Sequence, residues 1–124
     1  GWDAAAKLVI LTNAVAGFPA VLDDVQCDGI TGVDVTALTA ARQRGERYRL
    51  LARAERQPDN GYALSVTPTR LSPDHPLGRL DRKQMGVVYT TDIYGVITAI
   101  IDEPAPIPSA MTMLRDLLDI YVED

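Results

Sequence analysis

An aspartate and a lysine four residues apart, Asp3 and Lys7, share one face of a helix if the segment that follows Asp3 is helical. An acid placed N-terminal to a lysine at this spacing pairs favourably with it, and such pairs are common on ordinary helix surfaces. The chemical interest lies in the surroundings, because Lys7 is the only cation between Ala4 and Gly17 in GWDAAAKLVILTNAVAG. If that helix is buried on most sides, the ammonium must enter a cleft or meet an acid, since an unpaired buried charge is costly. A lysine so placed can give a proton to an oxygen that becomes negative during reaction.

Few other residues offer catalytic chemistry. Cys27 is the single cysteine and His75 the single histidine of the 124 residues. No internal disulfide is possible, which points to a reducing, cytoplasmic setting. Neither a Cys–His pair nor a histidine-rich metal site has the partners it needs. Cys27 reads as a packing residue, and no role is assigned to His75. Asp23 and Asp24 read as solvated loop acids. Met85, Met111 and Met113 read as core or interface. Arg115, Asp116 and Asp119 read as the wet face of a terminal helix.

Composition bounds the class. The chain is 47% hydrophobic and 23% charged, with a formal net charge of −5, ordinary values for one soluble domain with a real core. An acidic balance does not favour nucleic acid or anionic lipid. The basic clusters at Arg42, Arg44, Arg47 and Arg49, and at Arg79, Arg82 and Lys83, have acidic neighbours and read as solvated faces. No apolar run reaches membrane-spanning length.

The elements that must position Asp3 and Lys7 follow from pattern. Asp3 suits an N-cap or first turn, and Leu8, Leu11, Ala14 and Val15 form a helical stripe. Val9 and Ile10 make the helix apolar nearly all round, which predicts burial on more than one side, and Gly17 ends it. A short strand follows near Val25–Cys27. Asp34 caps a second helix with Val35, Leu38, Ala41 and Ala37 inward, and Gly45 stops it. In ERYRLLARAER, Tyr48, Leu50 and Ala52 alternate with Arg47, Arg49, Leu51 and Arg53, so one face is wet. Asn60-Gly61 marks a hairpin turn into GYALSVTPTRL, where Tyr62, Leu64 and Val66 share a face. An ordered loop spans Ser72 to Lys83, and a second hairpin turns around Asp92–Gly95. EPAPIP is an extended linker to a helix from Ser109 to Glu123, with Met113, Leu114, Leu117, Leu118 and Tyr121 as its apolar stripe. The fold class is α+β, with a mainly antiparallel or mixed β-sheet and helices packed on one face. No GxGxxG follows an early strand, so no Rossmann unit is expected here.

GWDAAAKLVILTNAVAG resembles the homoserine dehydrogenase segment in which a glycine, an aspartate and a catalytic lysine open a helix. GITGVDVTALTAARQRGERYRLLARAER, HPLGRLDRKQMGVVYTTDIYGVITAI and PIPSAMTMLRDLLDI are similar, in the same order, to later blocks of that family. The resemblance implies that Lys7 is the proton donor to the aldehyde oxygen of aspartate semialdehyde, with Asp3 orienting substrate or holding Lys7. It implies that residues 1–124 are the substrate-binding, catalytic and dimerisation domain of an NAD(P)-dependent oxidoreductase of threonine and methionine biosynthesis. NAD(P) would be bound mainly by a domain upstream of Gly1, and a homodimer is expected. The family's other substrate-binding acids also precede Gly1, and its glycine-rich turn before the last helix is replaced by Asp102-Glu103-Pro104-Ala105-Pro106. The opening directly on a helix suggests a fragment, which alone should not turn over substrate. Two other readings stand beside this one. The strand–helix–strand–strand run from Val25 to Val66 has the shape of an amino-acid-binding regulatory module of the ACT-like kind, and the chain could also be a non-catalytic dimerisation unit.

Overall fold

The computed structural model describes residues 1–122, so the expected helix residue Glu123 lies outside them. They form two compact units, divided after Gly78.

In the first unit, Gly1 starts helix α1 (Trp2–Leu11), and its carbonyl accepts the Ala5 N–H at 2.9 Å. Asp3 is therefore the first-turn acid rather than the cap, well placed against the positive helix end. A Cβ at Gly1 would stand 2.6 Å from Cys27 Sγ, so only glycine lets the chain pass this close to the sheet. The helix continues as a π-helix over Thr12–Ala16 and ends at Gly17, which takes the left-handed conformation (φ 64°) that the sequence predicts. The buried stripe is Ala5, Leu8 and Thr12; Leu11, Ala14 and Val15 are exposed. Two causes explain this departure from expectation. Ala5, fully buried, lets the helix approach its neighbours closely, and the wider π turn shifts the phase of every residue after Leu11. Expected burial on more than one side is not found.

Strands β1 (Val25–Cys27), β2 (Arg47–Arg56) and β3 (Tyr62–Leu71) form a mixed sheet ordered β1-β3-β2. β1 runs parallel to β3 with Val25 opposite Leu64 and Cys27 opposite Val66; β2 runs antiparallel from Arg47–Leu71 to Arg56–Tyr62. Paired residues share a face, so Val25, Leu64 and Val66 come together and pack with Ala5, Leu8 and Ala20 as the core. Phe18 and Tyr62 extend it, their rings 5.5 Å apart. Pro68 is tolerated in the central strand because of where β1 ends. The Val66 carbonyl faces β1, where it accepts from Asp28 N–H. Every second residue shares that side, so the missing donor of Pro68 falls beyond the last β1 bond.

Helix α2 (Val35–Gln43) starts after Asp34 as expected, but only Ala41 of its predicted stripe is buried; Val35 and Leu38 are exposed and Ala37 is half-buried. On β2, Tyr48 is half-buried, but Leu50 and Ala52 are exposed whereas Arg49 and Leu51 are half-buried. The loop after β3 is ordered, as predicted. His75 N–H donates to Ser72 O, Gly78 N–H to His75 O, and Leu77 N–H to His75 Nδ1 at 3.1 Å, which leaves the imidazole proton on Nε2.

In the second unit, β4 (Gln84–Thr90) and β5 (Val96–Asp102) form the expected antiparallel hairpin, with Gly95 at φ 69° in its turn. Helix α3 (Ile107–Val122) begins earlier than Ser109. Pro108, with φ already helical, suits a first turn, and Ser109 Oγ donates instead to the Glu103 carboxylate. The stripe Met113, Leu114, Leu117, Leu118 and Tyr121 is exposed, as are Met85 and Met111, so the methionines are not core. The class is α+β, with strands shared between a mixed and an antiparallel sheet, and no Rossmann unit among the described residues.

Candidate functional site

Asp3 and Lys7 lie on the side of α1 opposite Ala5, Leu8 and Thr12, because 100° per residue carries them about half a turn from the buried stripe. Lys7 Nζ stands 2.8 Å from Asp3 Oδ2, and the side chains are 61% and 84% exposed. The spacing brought the two together as expected. The burial argument does not hold: within this chain Lys7 faces solvent, and nothing forces it into a cleft. What the geometry offers is an ammonium steered by a carboxylate on a rigid helix, with donor hydrogens to spare for another acceptor. The pair itself adds little stability, because exposed i, i+4 pairs are worth about 0.3–0.5 kcal/mol. Asp3→Asn loses both this pair and the first-turn charge against the helix dipole, so unfolding free energy should fall by no more than about 1.5 kcal/mol in a urea titration; a larger loss would show that Asp3 has a further structural role.

The other candidates disperse. Asp24 Oδ2 accepts the Val21 N–H at 2.9 Å and caps a 3-10 turn, while Asp23 is exposed. Cys27 is half-buried against the core, as its packing role requires. Glu46 accepts from Arg44 at 2.9 Å and Arg70 at 3.3 Å, which accounts for part of one basic cluster. Arg115 meets Asp116 at 3.6 Å on an exposed helix face. Among the described residues no group of three or more His, Cys, Asp or Glu could hold a metal, and no helix is long and apolar enough to cross a membrane.

Asn13 is a residue that sequence reasoning missed. Its Nδ2 donates to Ala20 O at 3.1 Å and its Oδ1 accepts from Ala20 N–H at 2.7 Å. The side-chain amide thus replaces a ladder partner for a buried residue and ties the Gly17–Val21 turn to the helix. The signal available was a lone polar amide just before a glycine stop. Asn13, Gly17, Phe18, Pro19, Ala20 and Val21 line a shallow depression of about 380 Å³, without an acid or base. The Ala20 N–H keeps a bond to Phe18 O at 2.8 Å, so removing the amide strands the Ala20 carbonyl, and Asn13→Ala should cost about 1–3 kcal/mol by urea unfolding. An unchanged midpoint would show that water replaces the amide.

A dinucleotide does not fit the one strand-to-helix turn of the first unit. Between β1 and α2 the chain reads Asp28-Gly29-Ile30-Thr31-Gly32-Val33-Asp34, with Asp34 as the N-cap. A diphosphate seated on that helix end would meet carboxylates, and the next strand does not run parallel to β1 as a Rossmann unit requires.

Comparison with known proteins identifies the family. The homoserine dehydrogenase family profile matches residues 1–118. An NAD(+)-dependent homoserine dehydrogenase of Pseudomonas canavaninivorans is 30% identical over 121 residues, covering 98% of this chain and 34% of that protein. A homoserine dehydrogenase of Methanocaldococcus jannaschii is 32% identical over 121 residues, with the same coverage of 98% and 34%. The crystal structure of a homoserine dehydrogenase from Thiobacillus denitrificans superposes with a TM-score of 0.81 at 28% identity, over 95% of this chain and 27% of that one. The chain thus spans about a third of the length of the curated relatives it matches. With a first-helix aspartate–lysine pair, an α+β fold shared with solved homologues and a family match along nearly its whole length, the chain belongs to the homoserine dehydrogenase family.

Proposed function

We propose that residues 1–124 are the substrate-facing and dimer-forming domain of a homoserine dehydrogenase, which reduces L-aspartate 4-semialdehyde to L-homoserine with NADH or NADPH. The observation that carries this reading is the Asp3–Lys7 pair, 2.8 Å apart and open to an incoming ligand on a helix anchored by its other face. Lys7 Nζ hydrogen-bonds the aldehyde oxygen and gives it a proton as negative charge develops there, a contact strongest in the transition state. Asp3 accepts another Nζ–H and fixes the direction of the ammonium, and it can also bind the substrate amine. NAD(P)H is the hydride source in this reaction; its binding is assigned mainly to residues of the parent protein outside this chain, in keeping with the β1–α2 turn, which does not suit a diphosphate. Exclusion of water from so exposed a pair falls to the same outside residues.

A homodimer is part of the proposal. The exposed Ile100 and Ile101 of β5, and Leu114 and Leu117 of α3, are apolar surface of the kind that is covered in a parent assembly. A cytoplasmic place in threonine and methionine biosynthesis accords with the reaction. The test is an assay of the parent protein with aspartate semialdehyde. Semialdehyde-dependent oxidation of NADH or NADPH is expected, with no turnover by the chain alone, and an inactive parent would refute the reading.

The order β1-β3-β2 is that of an ACT-like module, but the directions are not: a split β-α-β unit needs the two helix-linked strands parallel, and β1 and β2 run in opposite directions. Shape alone does not set function, and relatives named homoserine dehydrogenase along nearly the whole chain do not favour it. Tight calorimetric binding of threonine by the chain would revive it.

A further inference from the structure

The turn between β2 and β3 carries chemistry unrelated to Lys7. It consists of Gln57-Pro58-Asp59-Asn60-Gly61, and it is closed by Gln57 N–H to Gly61 O at 2.9 Å and Asn60 N–H to Gln57 O at 3.0 Å. Asn60 is exposed and sits at φ 66°, a conformation asparagine tolerates better than most residues. Two side chains converge on its amide and on the following nitrogen. Arg56 Nη2 donates to Asn60 Oδ1 at 2.8 Å, and Asp59 Oδ1 accepts the Gly61 N–H at 2.9 Å. A Cβ at position 61 would stand 3.0 Å from that same carboxylate oxygen, so glycine keeps the base in place and the nitrogen approachable.

We propose that Asn60 is a self-modification site, where the fold assists deamidation of its own side chain. The Gly61 backbone nitrogen attacks Asn60 Cγ. The N–Cγ bond forms, the Gly61 proton passes to Asp59, and Arg56 stabilises the negative charge gathering on Oδ1. The Cγ–Nδ2 bond then breaks, Nδ2 takes up a proton and leaves as ammonia, and a cyclic succinimide remains. Solvent water opens the ring at either carbonyl, giving aspartate or isoaspartate at position 60. No oxidant or reductant enters. Isoaspartate adds a methylene to the backbone in the turn that sets the β2–β3 register, and either product places a new negative charge beside Arg56.

The chain carries its own control. Its only other asparagine, Asn13, has its amide engaged at both ends by Ala20, lies in the π-helix and is followed by alanine. The full chain is incubated at mildly alkaline pH and digested. The mass change of amide to acid is then followed at both asparagines, and isoaspartate is read by methyltransferase labelling. Conversion is expected at Asn60 and not at Asn13. Asp59→Ala and Arg56→Ala should each slow it roughly tenfold in the folded chain, less than the hundredfold or more of a buried enzyme donor, because the turn is solvated. Arg56→Lys should recover part of the rate, and in urea all the chains should converge. All these positions are exposed at a turn, and circular dichroism confirms that each variant folds. No conversion at Asn60 overturns the proposal, and so do equal rates in the folded wild type and both alanine variants.

Discussion

Replacing Lys7 with alanine in the parent enzyme lowers kcat for semialdehyde reduction by roughly two to four orders of magnitude, the usual range for losing a positioned general acid. KM changes far less, because the lost contact is strongest when charge has developed on the aldehyde oxygen. The fold survives: Lys7 is 61% exposed, and its partner carboxylate is still more exposed. Lys7→Arg keeps the charge but not the chemistry. A guanidinium gives up its proton far less readily and presents a wider, planar donor set, so binding is retained while kcat stays low. Steady-state kinetics beside thermal melts separate this result from misfolding. Turnover of Lys7→Ala within a few-fold of wild type, at unchanged stability, would remove Lys7 from the mechanism.

The second large effect is structural and sits far from any chemistry. Gly78 is buried, and a Cβ added there would stand 2.2 Å from Ser72 O and 3.2 Å from Ser72 C. Neither atom belongs to a flexible side chain. Gly78→Ala must therefore push apart the turn built on Ser72, His75 and Gly78, at a cost of about 3 kcal/mol, the upper end of overpacking penalties. Urea unfolding should show a lower midpoint at constant slope. A change below about 0.5 kcal/mol, the range of neutral surface substitutions, would mean that the turn yields without cost.

Much of this architecture could be read from local signals. Gly17, Gly45 and Gly95 all stand at positive φ where their helices or hairpin end, and Asp34 stands at the start of α2. Both hairpins lie where turn residues interrupt alternating apolar ones, Asn60-Gly61 in the first and Asp92 and Gly95 in the second. What escaped depends on distant partners. The parallel pairing of β1 with β3 leaves no trace in either segment, and neither does the division of five strands between two sheets. The buried side of α1 escaped for another reason. Leu8 and Leu11 look equally apolar in sequence, and only small Ala5 and the π turn after Leu11 decide which of them meets the sheet. The site shows the same division. Spacing put Asp3 and Lys7 together, but the assumption that an apolar helix must bury its lysine failed, because Ile10 is exposed on that side too. The Asn13 clamp depends on a turn whose path no helix signal encodes.

The order of strands in the first unit has a kinetic meaning. β2 and β3 are joined by a five-residue loop, so their pairing closes a small circle and costs little chain entropy. β1 meets β3 only after α2, β2 and the hairpin turn have been laid down between them, and it holds just three register pairs. Non-local contacts of this kind are slow to form. The hairpin is therefore the natural nucleus, with β1 condensing onto it late. Helix α1 takes its bearings from that late seam, where Gly1 presses on Cys27 of β1 and Val66 of β3. The surface that presents Lys7 thus docks on the pairing with the longer loop to close.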